Sequence, residues 1–315
     1  MQKLLITTLC ALALPAFAAY PEKPVRLIVP LAAGGGMDTT ARSIATPLGE
    51  RLGQSVVVDN RPGGGGNVGV DIMREAPADG HTLFMGSATF VIHPLLYKAR
   101  YVPARDFLAI TQVTSQPYVL IVHPGVPAKT VKELVAYTKA NPNKINYASS
   151  GQGSLIHLTS ELFKVRTGAD MIHVPYKGMA QGIPDLLEGR IQLVITGLPA
   201  VATQLKSGKL RVLATTESRR TVLNPDIPTF AEAGVPGVEM ETWLGMVAPA
   251  GTPRAAIDQA NAAFNRALKL PQVREKLAAQ GLEVMGGTAE TFNARIRSDI
   301  ESFRKVSRAA GLKPE

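Results

Sequence analysis

The sequence predicts an α/β protein of two domains, and three observations carry that prediction. The first is Val25-Arg26-Leu27-Ile28-Val29-Pro30, an apolar run that breaks into Leu31-Ala32-Ala33-Gly34-Gly35-Gly36. Ala41, Ile44, Ala45, Leu48 and Leu52 then follow at helix spacing, so the stretch reads as strand, glycine loop and helix. The second is a unit of the same kind far down the chain. Ile145-Asn146-Tyr147-Ala148 leads into Ser149-Ser150-Gly151-Gln152-Gly153-Ser154 and then into Leu155, Leu158, Leu162 and Val165. The third is length, since 315 residues can divide into two domains that each bury a core. In both units glycine lets the backbone turn sharply and approach a ligand, while the first N–H groups of the helix lack partners inside it. Each loop is therefore a ready anion site, and two of them face to face would hold a molecule with two anionic ends.

Met1 to Ala18 stand outside this scheme. A basic start at Lys3, an apolar core from Leu4 to Ala13 and the small-x-small end Ala16-Phe17-Ala18 describe a cleavable secretory signal. Its apolar core is shorter than the roughly 20 residues that span a bilayer, and no later stretch reaches that length. Cleavage after Ala18 leaves 297 residues and removes Cys10, the single cysteine, so disulfides and cysteine-bound metals are excluded from the mature chain. The charge that remains is 33 basic against 25 acidic residues, or +8. Lys and Arg are scattered and aromatics are only 5%, with no basic stripe of the kind that binds nucleic acid. An exported basic protein of this sort is suited to steering small acids.

Further along, Val56-Val57-Val58-Asp59-Asn60 reads as a buried strand before Arg61-Pro62-Gly63-Gly64-Gly65-Gly66-Asn67-Val68-Gly69. Gly64, Gly66 and Gly69 satisfy G-x-G-x-x-G formally, but the acidic residue that a dinucleotide site needs after the next strand is missing. That strand, His81 to Met85, runs into Gly86-Ser87, so a tight turn packed against a helix explains the glycines better. Leu108 to Val113 and Tyr118 to His123 read as two separate strands. Thr130 with Glu133 forms a capping box for a helix through Val131, Leu134 and Val135. Met171 to Pro175, Ile191 to Ile195, Leu210 to Ala214 and Glu241 to Val247 continue the strands, and the alternation predicts parallel sheets. Thr252 is expected to cap a helix with Pro253 first, its stripe being Ile257, Ala260, Phe264 and Ala267. The last helix buries Phe292, Ile296, Ile300 and Phe303 and turns Arg295, Arg297, Glu301 and Arg304 to solvent.

Catalytic chemistry finds little support. His81, His93, His123, His157 and His173 show no H-E-x-x-H spacing, and neither G-x-S-x-G nor G-x-x-x-x-G-K-[ST] occurs. Ser154 is a helix cap or a ligand hydroxyl. Asp38 caps the first helix or receives a ligand amine or hydroxyl, and Lys177 meets a carboxylate or points to water.

In order along the chain stand Pro30 to Asp38, Asn60-Arg61-Pro62-Gly63, Ala78-Asp79-Gly80-His81-Thr82-Leu83, Ser149 to Ser154 and His173-Val174-Pro175-Tyr176-Lys177-Gly178. Pro228-Thr229, Glu232-Ala233-Gly234 and Trp243-Leu244-Gly245 follow, before Ala248 to Pro253. In these motifs the mature chain closely resembles the Bug family, the solute-binding proteins of tripartite tricarboxylate transporters. The resemblance implies a periplasmic binding protein of type II, or Venus flytrap: two α/β lobes joined by crossing strands, with a ligand cleft between them. Lobe one would run from Ala19 to Pro117 and from Leu244 to Glu315, and lobe two from Tyr118 to Trp243. It implies a monomer without cofactor, metal or enzymatic activity, which captures a small di- or tricarboxylate and passes it to membrane subunits. Carried over residue by residue, the ligand contacts are Ala33, Gly34, Gly35, Asp38 and Thr39 on one lobe and Ser150, Gly153 and Ser154 on the other. Gly86, Ser87 and Tyr176 would form the rim. Leu31 and Thr196 depart from the family pattern and leave the ligand's identity open. The rival readings are a receptor for a sensor kinase and an exported enzyme that uses the glycine loops for a phosphate or dinucleotide.

Overall fold

The computed structural model describes residues 20–63, 66–176, 179–220 and 225–309. The expected signal segment, Gly64, Gly65, Lys177 and Gly178 lie outside the described residues. The chain runs β1 (Val25–Val29), α1 (Gly36–Leu52), β2 (Val56–Asn60), α2 (Asn67–Glu75), β3 (Thr82–Ser87), α3 (Ala88–Leu96) and α4 (Pro103–Asp106) into a long strand, β4 (Phe107–Val122). Then come α5 (Val131–Ala140), β5 (Asn146–Ser149), α6 (Leu155–Thr167), β6 (Ile172–Pro175), α7 (Met179–Leu187), β7 (Leu193–Gly197), α8 (Ala202–Lys206) and β8 (Arg211–Thr215). The return is made by β9 (Glu241–Pro249), α9 (Arg254–Leu268), α10 (Pro271–Ala278), β10 (Glu283–Val284) and α11 (Ala289–Ala309).

Strand order is β2-β1-β3-β9-β4-β7-β5-β6, with β10 and β8 also on β4. The expected pair of strands at Leu108 to Val113 and Tyr118 to His123 is thus a single strand. Its Phe107–Pro117 part pairs with β9, and its Tyr118–Val122 part pairs with β7 and β8. The polar stretch Thr114-Ser115-Gln116 breaks the apolar pattern, although Thr114 and Ser115 are buried. The sheets are mixed rather than parallel. The pairs of β1 with β2 and β3, and of β5 with β6 and β7, are parallel, whereas those of β9 with β3 and β4, and of β4 with β7 and β8, are antiparallel. β9 joins the first sheet at Glu241, opposite Pro117, ahead of the Leu244 boundary expected from sequence.

One core fills the first half around Leu27, Ile28, Phe84, Phe264 and Phe292. In the second half, alternate residues of β4 serve opposite faces, as the twofold pleat requires. Leu120 and Val122 pack with Phe163 and Phe230, while Val119 and Ile121 pack with Val194 and Leu186. Tyr118, at the change of sheet, packs against all three clusters. The stripe of α6 behaves unexpectedly: Leu155, Leu158 and Leu162 join the core of the first half.

Two local expectations change. Pro253 itself is the N-cap of α9, and Thr252 Oγ1 donates to the Pro249 carbonyl (2.8 Å) instead of capping. Arg295 does not face solvent. Its guanidinium donates to Asp299 (2.9 Å) and Glu241 (3.1 Å), and Asp299 also accepts the Trp243 indole N–H at 2.6 Å. The Thr130 cap is as expected, accepting the Glu133 N–H at 3.1 Å.

Beside this network lies Glu217, 5% exposed, with Oε2 buried and without a partner among the described residues. Burial, then Glu241 and Glu283, push its carboxyl up from 4.5 to about 7 against the opposing effect of Arg219. An acid raised on folding stabilises fully below its unfolded value, and that contribution is lost as pH rises through the folded value. Stability should fall from about pH 4.5 to pH 7, by up to about 3 kcal/mol. Glu217→Gln should therefore raise the melting temperature at pH 8 and leave it nearly unchanged at pH 4, as thermal scans at both pH values would show.

Candidate binding site

Gly34, with φ +82°, turns the chain out of β1, and α1 begins at Gly36 with Gly35 as N-cap. Asp38 is not the cap. Held in the first turn and 3% exposed, its Oδ2 accepts the Gly34 N–H at 2.9 Å and the Arg42 Nε–H at 3.0 Å. The Arg42 hydrogen bond, with help from Gly34 and Asn60, holds the Asp38 carboxyl below the usual carboxylate range despite burial. Arg42 also donates to Asn60 Oδ1 (3.1 Å), and Asn60 donates to the Leu31 carbonyl (3.0 Å). The loop is thus pinned from behind by Asp38, Arg42 and Asn60. In front, the N–H groups of Gly36 and Met37 have no carbonyl to bond within the helix.

A cleft of about 580 Å³ opens there. Gly34, Gly36, Met37 and Thr39 form one side, with Ser87 at the end of β3. Thr114, Gln116, Thr242 and Trp243 from the two crossing strands form its base, and Pro199, Leu282 and Gln280, whose Oε1 accepts from Thr40 of α1 at 3.3 Å, complete the lining. Among the described residues no charged side chain lines it. An anion here would be met by backbone N–H groups, hydroxyls and amides, aided by the positive end of the α1 dipole.

Of the residues expected from sequence, Gly34, Thr39 and Ser87 line this cleft, as does Leu31. Ala33, Gly35 and Asp38 belong to the loop but not to its lining. Ser150, Gly153, Ser154 and Tyr176 do not line it either. Ser154 caps α6 by accepting the His157 N–H at 3.2 Å, and Gly153, with φ +70°, donates to His157 Nδ1 at 3.0 Å. Tyr97 donates to the Gln152 carbonyl (2.8 Å), and a Cβ on Gly153 would stand 2.7 Å from Leu96. The second loop is thus seated on α3, because the α6 stripe docks on the core of the first half. Tyr176 spends its hydroxyl on Asp185 (2.6 Å).

Sequence reasoning missed Gly36, Met37, Thr114, Gln116, Thr242 and Gln280 as lining residues. The helix start pointed to the first two, but only the pairing of β4 with β9 brings Thr114, Gln116 and Thr242 together, and only the packing of α10 on α1 brings Gln280. It also missed a stack of His157 on His173, ring centroids 3.9 Å apart, beneath the second loop. Burial, then His157, lowers His173 to about 4, and Ser149 Oγ lies 2.7 Å from its Nε2.

Two α/β halves joined by crossing strands, with a cleft at the start of α1 that no charged side chain lines among the described residues, have the form of a solute receptor. The model of the tripartite tricarboxylate transporter family receptor matches residues 40–312, and the chain belongs to that family, whose members are periplasmic binding proteins. It is 36% identical over 297 residues to protein BugT of Bordetella pertussis, covering 93% of this chain and 91% of BugT. Among solved structures it is similar to Rpa4515 of R. palustris with adipate, with TM-score 0.80, 37% identity, and 94% and 100% of the two chains covered. MatC of Rhodopseudomonas palustris with bound malate gives TM-score 0.75 at 29% identity, covering 91% and 99%. No helix among the described residues is long and apolar enough to cross a membrane.

Proposed function

We propose that this protein is exported by its N-terminal signal, captures a small di- or tricarboxylate in the interlobe cleft, and delivers it to the membrane subunits of a tripartite tricarboxylate transporter. The observation that carries this reading is the cleft itself, where the N-terminus of α1 meets the hydroxyls and amides of Thr114, Gln116 and Thr242 and, among the described residues, no charged side chain. Adipate and malate, held by two similar proteins, are both dicarboxylates. One carboxylate would sit on the Gly36 and Met37 N–H groups beside Gly34, Thr39 and Ser87, and the other would meet Thr114, Gln116 and Thr242. Ala33, Gly35 and Asp38 shape the loop. Ser150, Gly153, Ser154 and Tyr176 would contact the ligand from the second loop, which has to leave its seat on α3 to reach the cleft. We place the lobe division at Pro117/Tyr118, where β4 changes sheet, and just ahead of Glu241, where β9 joins the first sheet.

A thermal-shift screen of the mature chain over mono-, di- and tricarboxylates tests the proposal. A ligand at 100 times its Kd stabilises by about 2.7 kcal/mol, a clear rise in melting temperature. If no carboxylate raised it, the receptor reading would fail.

A further inference from the structure

Beside the cleft lies an annex of about 80 Å³, and Leu31, Met37 and Ser87 line both spaces. Its walls are Val70 of α2, Phe84 of β3, Phe90 of α3 and Tyr101, whose hydroxyl is engaged with the Phe90 carbonyl at 3.0 Å. The polar edge is Asn67 with His93, side chains 3.1 Å apart. Burial lowers the His93 pKa, so the ring is neutral at pH 7 and the annex has no charged group among the described residues. A space of this size takes several heavy atoms, since a single water needs only about 10–15 Å³. It is small beside the roughly 150 Å³ cavity that holds a benzene.

From this geometry we infer a ligand class narrower than the one proposed above, and the inference rests on that carboxylate-receptor reading. The preferred ligand is a dicarboxylate bearing one short apolar branch, with its carboxylates in the main cleft and the branch in the annex under Leu31 and Met37. A third carboxylate in the annex would be stripped of water against aromatic walls, and one neutral imidazole N–H does not offset that loss. An alkyl branch gains instead, each buried methylene being worth about 0.8 kcal/mol, or roughly fourfold in affinity.

Calorimetry with succinate, methylsuccinate, isobutylsuccinate and citrate tests the assignment. Affinity should rise along the three succinates, with isobutylsuccinate at least about tenfold tighter than succinate, and citrate should bind weakest. Val70→Phe fills the annex from its wall and should abolish the gain while leaving succinate unchanged. Thr89→Leu makes the same test from an exposed position at the annex mouth, where folding is not at stake. If succinate bound and isobutylsuccinate bound no tighter, or if citrate bound tightest, the inference would be overturned with the receptor reading intact. If none of the four acids bound, the branch assignment would fall, and the receptor reading would fall only with the wider carboxylate screen.

Discussion

Gly245→Ala is expected to destabilise the protein by about 3 kcal/mol, at the upper end of the range for overpacked cores, and Gly245→Val by more. Gly245 lies mid-strand in β9, between Gly86 of β3 and Gln112 of β4, so its backbone cannot retreat without breaking two ladders. A Cβ there would overlap the ring of Phe292, which is 2% exposed. That ring packs edge-on against Trp243, centroids 5.0 Å apart, and Trp243 is tied to Asp299 through its indole N–H. Neither ring has room to turn. Gly36→Ala is the contrasting change, because a Cβ there meets nothing within 4 Å. Urea denaturation should show a large fall in midpoint for Gly245→Ala and almost none for Gly36→Ala. Equal midpoints for wild type and Gly245→Ala would contradict the packing described.

The second large effect is expected at Asp38. Removing its carboxylate in Asp38→Ala leaves the Gly34 N–H and the Arg42 guanidinium without their acceptor. Each hydrogen bond to a charged group is worth about 1.5–3 kcal/mol. Because these bonds fix the loop from behind, dicarboxylate affinity should fall at least about tenfold although Asp38 does not line the cleft. The carboxyl is held below its ordinary value on folding, so its contribution is present above the unfolded pKa and fades as pH falls through the folded one. The stability gap between wild type and Asp38→Asn should therefore be open at pH 7 and closed in strong acid. A gap independent of pH would mean that the charge plays no part.

Local sequence was enough for the elements whose partners are near in the chain. The strand, glycine loop and helix from Val25 to Leu52, the Thr130 cap and the stripe of Phe292, Ile296 and Phe303 all follow from spacing within one or two turns. What failed depends on distant partners. Thr114-Ser115-Gln116 looked like a break between two strands because polar residues interrupt the run, yet all three are strand residues next to the change of sheet, and Thr114 and Gln116 line the cleft. Arg295 looked solvated because Glu241 is reached only when β9 lies beside α11, and because its i+4 neighbour Asp299 is buried there by the indole of Trp243. The stripe of α6 was legible but its destination was not: docking on the first core seats the second loop on α3. The stack of His157 on His173 needs the β5–β6 register, which pairs Tyr147 with His173, and no local pattern carries that.

The most direct test of the central claim is calorimetry of one diacid and its monoester against the mature protein, with Trp243 emission recorded in parallel. Trp243 lies at the base of the cleft, so its emission should change with the same midpoint as the heat. Esterification removes charge-assisted hydrogen bonds of about 1.5–3 kcal/mol and leaves donors unsatisfied at about 1–3 more. The account predicts that the monoester binds at least about a hundredfold more weakly. A monoester that bound as tightly as the diacid, or a diacid that bound without any change in Trp243 emission, would contradict a carboxylate held between the α1 N-terminus and the crossing strands.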